Sequence, residues 1–156
     1  MQEFVLYGNG GHSRVIQDLI VKLGGKVLEI FDEKNVYNPH IFPQAKMIIC
    51  IGNNEIRKKT SLGIMHEFAT LVHPNAILAD NIEIGEGTVI LANAVLQAGT
   101  KIGKHAIINA NTTIDHDVVI ENFVSIYPNS YIGGEAYITE NKTVEPNQVI
   151  RRNTVF

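Results

Sequence analysis

From Val72 onward, every sixth residue is aliphatic. The series runs Val72, Leu78, Ile84, Ile90, Leu96, Ile102, Ile108, Ile114, Ile120, Ile126, Ile132, Ile138, Val144 and Ile150, with no slip in phase. Two residues before each, small side chains dominate, as at Ala76, Thr88, Ala94, Thr100, Ala106 and Thr112. An ordinary sandwich has turns at irregular intervals and would not hold this phase. The repeat predicts one short flat strand per six-residue unit, with one aliphatic side chain inward and a small residue beside the corner. Three units close a triangular coil, and stacked coils align the aliphatic residues into ladders. Lys142 and Gln148 break the small-residue rule. A frayed or capped last coil is therefore expected.

The first half has a different grammar. "EFVLYG" reads as a strand and "HSRVIQDLIVKL" as a helix, with Val15, Ile16, Leu19, Ile20 and Leu23 at helical spacing. Gly24 and Gly25 are a plausible stop. "KVLEIF" and "KMIICI" read as two further strands, and "GNNEIRKK" as a turn with an Asn cap opening a second helix. Alternation of this kind predicts a small Rossmann-like parallel sheet. The expected organisation is an α/β domain over residues 1–71 followed by a repeat domain over 72–156.

Composition narrows the partners. With 45% hydrophobic residues the chain of 156 can bury a core, and a net charge of −3 without a basic run argues against nucleic acid. The N-terminus lacks the basic and apolar regions of a signal peptide, and no stretch has the ~20 apolar residues of a membrane span. The single Cys50 reads as a buried strand residue in a reducing compartment, so a cytoplasmic protein is expected. His40, His66, His73 and His105 have no paired spacing and read as surface or junction residues; no metal site is expected.

Two stretches carry candidate chemistry. In "YGNGGHS" the turn Gly8, Asn9, Gly10, Gly11 is tight enough for a phosphate to approach the next helix N-terminus. Ser13 stands where a full dinucleotide fingerprint has its third glycine, and the domain is small, so a mononucleotide such as UDP fits better than NAD. Asp32, at the end of the second strand, is where such folds place a ribose-binding acid. In "TIDHDVVI", Ile114 points inward, which leaves His116 outside the coil on a flat face, beside Asp115 and Asp117. By spacing alone it is either an ordinary surface histidine or a base with its orienting acid.

The chain resembles the sialic acid and UDP-amino-sugar acetyltransferases, which join a small nucleotide-binding domain to the left-handed parallel β-helix of hexapeptide acyltransferases. Within that family it resembles the bacillosamine-pathway UDP-sugar N-acetyltransferases. "YGNGGHSRV", "IGNNEIRKK", "LVHPNAIL" and the Asn109-to-Asp117 stretch carry the resemblance, nearly to Gly134. The resemblance, and not the period, implies the left hand of the coil. It implies acetyl-CoA as co-substrate, a UDP-linked amino sugar of the 4-amino-4,6-dideoxy type as acceptor, and transfer to nitrogen; transfer to a sugar hydroxyl and non-catalytic nucleotide-sugar binding are the alternatives. His116 would be the general base and Asp117 its orienting acid. Gly134 would offer an oxyanion N–H near acetyl-CoA. His12, Asp32, Glu33, Asn53, Arg57 and Asn109 become candidates for acceptor binding, although Arg57 and Lys58 also suit a solvated helix face. Members carry a second histidine where this chain has Ser125, and more coils than this shortened repeat supplies. Exposure of the His116 face, together with the resemblance, predicts a homotrimer with sites between subunits.

Overall fold

The computed structural model describes residues 1–156. Its N-terminal part has the expected order: β1 (Glu3–Tyr7), α1 (Gly11–Lys22), β2 (Lys26–Phe31), β3 (Lys46–Ile49) and α2 (Asn54–Ser61). The three strands form a parallel sheet in the order β2-β1-β3. Helix α1 buries Ser13, Ile16, Leu19 and Ile20, but Val15 and Leu23 are exposed, so the apolar stripe is narrower than the sequence suggests. It stops because Gly24 turns left-handed at φ +72° and Gly25 lies against Phe4, where a Cβ would come within 2.6 Å of the ring. Helix α2 starts at Asn53, whose side-chain oxygen accepts the Ile56 N–H at 3.0 Å.

The repeat forms fourteen two-residue strands, β4 (Leu71–Val72) to β17 (Val149–Ile150). Each pairs in parallel with the strand three units away, so Leu78, Leu96, Ile114, Ile132 and Ile150 form one ladder. Two faces have five strands and the third has four. This is a parallel solenoid of about four turns, the left-handed β-helix of the expected class. The inward aliphatic series from Ile90 to Ile150 is buried and forms one continuous core with the small corner residues. At the far end Phe156 packs on that core, and the Lys142 ammonium lies 5.7 Å above its ring. The last coil is therefore capped.

Every sixth residue from Gly87 to Asn153 has positive φ, one at each corner. These positions stack in three columns. One is asparagine throughout: Asn93, Asn111, Asn129 and Asn147. A second runs Gly99, Asp117, Glu135 and Asn153, and the third Gly87, His105, Phe123 and Asn141. Asn, Asp and Gly accept this conformation readily, whereas bulkier residues are uncommon there.

The sheet domain docks on the face that starts at β4. Phe4, Leu6, Ile16 and Ile48 share a cluster with Leu71, Val89 and Leu91. Where α2 meets the coils, the imidazole of His105 stacks on Phe123 at 5.0 Å and lies perpendicular to the Phe68 ring at 4.4 Å. His105 is thus a buried junction residue. His66 is neither at the surface nor at the junction: it is buried beside Tyr37, 2.8 Å from the phenol oxygen, with the Ile41 and Phe42 carbonyls at its other nitrogen.

Candidate active site

The His116 turn links β11 (Thr113–Ile114) to β12 (Val119–Ile120), and it is a corner rather than a flat strand face. Asp117 occupies the left-handed position, φ +56°. That conformation brings its carboxylate back to the ring, with Oδ2 2.9 Å from His116 Nδ1. Asp115 works on the same residue from the other side. One oxygen accepts the His116 backbone N–H at 2.8 Å, and the other accepts the Tyr131 hydroxyl at 2.9 Å. The hydrogen bond that His116 donates to Asp117 raises the His116 pKa above its ordinary value, and the nearby Asp115 charge adds to this. The Asp115 carboxyl is held below its usual range, first by the His116 N–H and then by Tyr131. The imidazole side chain remains 44% exposed.

With Nδ1 engaged by Asp117, Nε2 is the free nitrogen. One coil on, Gly134 lies against it: a Cβ at Gly134 would come within 2.8 Å of Nε2. The Gly134 N–H donates to no backbone carbonyl. One coil before, Gly99 makes room for the acid, since a Cβ there would meet Asp117 Oδ1 at 2.2 Å. The motif did not single out Gly99 or Tyr131. The 18-residue coil brings both in, because Gly99 lies 18 before Asp117 and Tyr131 strand-pairs with Thr113.

The nucleotide candidates gather elsewhere. Gly8, Asn9, Gly10, Gly11, His12, Asp32 and Glu33 line one cleft of about 440 Å³ at the C-terminal ends of the strands. Gly8 adopts φ +106°, and a Cβ would press on the Cys50 carbonyl at 3.1 Å. Helix α1 opens at Gly10 with no side-chain cap and no acid in its first turn, which leaves its N-terminal N–H groups facing the cleft residues. Asp32 accepts the Lys34 and Asn35 N–H groups, both at 2.8 Å, and these bonds hold its carboxyl below the usual range. Burial, aided by the Arg57 charge, lowers the His12 pKa to about 4. The His12 Nε2 has no partner in the chain.

Asn53 lies at a second, adjoining cleft of about 690 Å³, between the start of α2 and the coils; Gly52 lines both. Arg57 meets neither expectation, acceptor contact or a solvated helix face. It is 1% exposed, and all its guanidinium nitrogens are occupied by protein oxygens, so it neither faces solvent nor has a free N–H for a ligand. Ser125 is buried in the same junction, donating to Asn54 Oδ1 at 2.6 Å. Asn109 stands at the corner before His116, its amide donating to the Ile126 carbonyl at 3.1 Å. Neither cleft includes His116. No helix is long and apolar enough to cross a membrane, and no three His, Cys, Asp or Glu side chains are grouped to hold a metal ion.

Residues 3–61 match the family described as PglD N-terminal domain, and residues 81–116 and 99–134 match bacterial transferase hexapeptide (six repeats). The UDP-N-acetylbacillosamine N-acetyltransferase of Bacillus subtilis (strain 168) is 32% identical over 112 residues, 58% of this chain. The chain spans about half of that relative's length, 52%. The acetyltransferase domain of PglB from Neisseria gonorrhoeae FA1090, solved with acetyl coenzyme A, is 26% identical at a TM-score of 0.71, covering 99% of this chain and 90% of that one. A mutant GDP-perosamine N-acetyl transferase from Caulobacter crescentus, solved with CoA and GDP-perosamine, shares the fold at a TM-score of 0.80 and 23% identity, covering 98% and 84%. A PglD N-terminal domain match followed by bacterial transferase hexapeptide matches together account for most of the sequence.

Proposed function

We propose that the protein is an acetyl-CoA-dependent N-acetyltransferase whose acceptor is a UDP-linked amino sugar of the 4-amino-4,6-dideoxy type. Residues 1–71 would bind the nucleotide, and residues 72–156 would carry the chemistry. The observation that carries this reading is the His116–Asp117 pair at 2.9 Å with Gly134 against its free nitrogen. The names of its relatives supply the reaction class.

Asp117 holds the Nδ1 proton, which leaves Nε2 as the base. His116 removes a proton from the acceptor amine as its nitrogen attacks the thioester carbonyl. The Gly134 N–H stabilises the oxygen as negative charge develops there. The C–N bond forms, the C–S bond breaks, and imidazolium returns the proton to the departing thiolate. No covalent bond to the protein is needed. In the acceptor cleft, the uncapped start of α1 would meet the diphosphate and Asp32 the ribose, with Asn9, His12 and Glu33 as further contacts.

The cleft and His116 do not share a cavity in one chain. We therefore place the reaction between subunits of a homotrimer, where one chain's cleft and Asn109 would face a neighbour's His116. The test of the reaction is thiol release from acetyl-CoA in the presence of UDP-4-amino-4,6-dideoxy sugars. Release that needs both substrates is expected. A full panel of UDP-amino sugars that stays inert overturns the proposal, and release only with hydroxyl acceptors would reassign it to O-acetylation. Light scattering tests assembly: a species of three times 17.3 kDa is expected. Acetyl transfer by a strict monomer would exclude a shared site.

A further inference from the structure

Arg57 is the largest fully buried side chain in the protein, and it has no carboxylate partner. Burial lowers its pKa only to about 10, so it keeps its charge at neutral pH. An unpaired buried charge persists only where hydrogen bonds replace its water. Here those bonds come from both parts of the chain. NH1 donates to the Ile51 and Gly52 carbonyls at 2.9 and 3.1 Å. Nε donates to the His105 carbonyl at 2.9 Å, and NH2 to the Phe123 carbonyl at 3.2 Å and to Ser125 Oγ at 3.3 Å. The remaining acceptor, Asn54 Oδ1 at 2.7 Å, also receives the Ser125 hydroxyl.

The two groups of acceptors differ in kind. Ile51 and Gly52 line the nucleotide cleft, and Gly52 also lines the adjoining junction cleft. His105 and Phe123 are corner residues, and they are two of the three positive-φ corner positions not held by Gly, Asn or Asp. The third exception, Glu135, is in the Asp117 column and makes no hydrogen bond to Arg57. Bulky residues in this conformation are disfavoured, which is compensated here by the stack of His105 on Phe123 and by the guanidinium on their carbonyls.

We propose that Arg57 is a positioning residue: its guanidinium fixes the wall of the nucleotide cleft against the β-helix, and so sets where a bound acceptor amine stands relative to the reacting corner. This rests on the function proposed above. If subunits associate through their β-helices, a cleft is aligned with a neighbour's His116 only as well as it is aligned with its own coils. Asn54 reinforces the tie, its amide reaching the Asn141 and Lys142 carbonyls at 3.1 and 3.0 Å. A rigid connection of this kind would not change how tightly the cleft holds UDP. It would change how often the bound sugar meets the thioester.

The experiment compares wild type, Arg57→Lys and Ser125→Ala below their melting temperatures. A lysine keeps the charge but cannot span both sets of carbonyls. Expected for Arg57→Lys is a kcat lower by about 100-fold, the size that ångström-scale misplacement produces. UDP affinity by calorimetry and the KM for acetyl-CoA should stay within about two-fold, because uniform binding is untouched. Ser125→Ala, which keeps the guanidinium and removes one anchor, should lower kcat alone by a few-fold and serves if Arg57→Lys does not fold. An unchanged kcat in a folded variant makes Arg57 merely structural, and a parallel loss of UDP affinity makes it part of the cleft itself; either overturns the proposal. Spin labels at exposed Val21 and Lys101, diluted into unlabelled protein, give a readout without turnover. Their distance distribution should broaden in the folded variant, and an unchanged sharp distribution overturns the proposal even if the wild type proves inactive with every acceptor.

Discussion

Two corners of the same coil have nearly the same backbone and opposite uses. At Asn93, Asn111, Asn129 and Asn147 φ is 59°, 59°, 61° and 61°; at Asp117, Glu135 and Asn153 it is 56°, 60° and 57°. In the asparagine column the amides satisfy one another, Asn93 donating to Asn111 and Asn111 to Asn129, each at 3.2 Å. In the other column the side chains serve something else. Asp117 turns to the His116 ring, and Glu135 pairs with Arg152. The inward ladder and the strand pairing hold both corners alike. A corner therefore needs only one residue that tolerates positive φ, and the rest of its turn is available for chemistry. Aspartate suits the position twice over, as a residue that accepts the conformation and as an acid that orients a base.

The sharpest break of this comparison is His116→Ala. We expect kcat to fall by about 1,000-fold, within the usual range for a lost general base, with the melting temperature unchanged. Activity that survives this change would remove the proposed mechanism. Gly134→Ala comes next: its Cβ would press on Nε2 at 2.8 Å, and roughly a 100-fold loss is expected in steady-state kinetics. Asp117→Asn should lower kcat by about 10-fold or more and also move the pH profile. Since Asp117 raises the His116 pKa, activity in the wild type should rise with pH through a midpoint above the ordinary histidine value. The asparagine variant should shift that midpoint to lower pH. His12, at about 4, titrates too low to produce this limb. The smallest effect belongs to the structural column. Asn111→Ala should leave kcat unchanged and reduce stability by about 1–2 kcal/mol, read by thermal or urea unfolding.

The strict period made the solenoid legible before any coordinate. One residue in six decides what lies inside, and Ile90 to Ile150 all fall inward. The nucleotide cleft was legible for a similar reason: strand ends and a glycine turn converge wherever a parallel sheet is built, and Gly8, His12 and Asp32 meet there. Arg57 is not legible in the sequence as a buried residue, because a charged residue in the first turns of a short helix ordinarily faces water. Nothing local reveals that two of its acceptors are carbonyls 48 and 66 residues away. The sequence puts His116 on a flat face, because the period gives the inward phase without saying where the bends lie. The recurring Asn at the third residue after every third inward position, as at Asn93, Asn111 and Asn129, is the available signal. It marks the left-handed turn, and it puts His116 and Asp117 at a bend.

The coil of three six-residue units also sets which changes of length the molecule can absorb. An insertion of eighteen residues would add a whole turn and return every later residue to its own column. An insertion of six would keep each aliphatic side chain inward, so the prism would still close, but it would move everything after it round by one corner. Placed between Asp117 and Gly134, it would leave His116 above a different edge of the triangle, with a sound core and no glycine beneath its ring. Folding in this architecture counts modulo six, whereas the proposed chemistry counts modulo eighteen. Drift in length can therefore abolish function while the inward ladder of the prism stays intact.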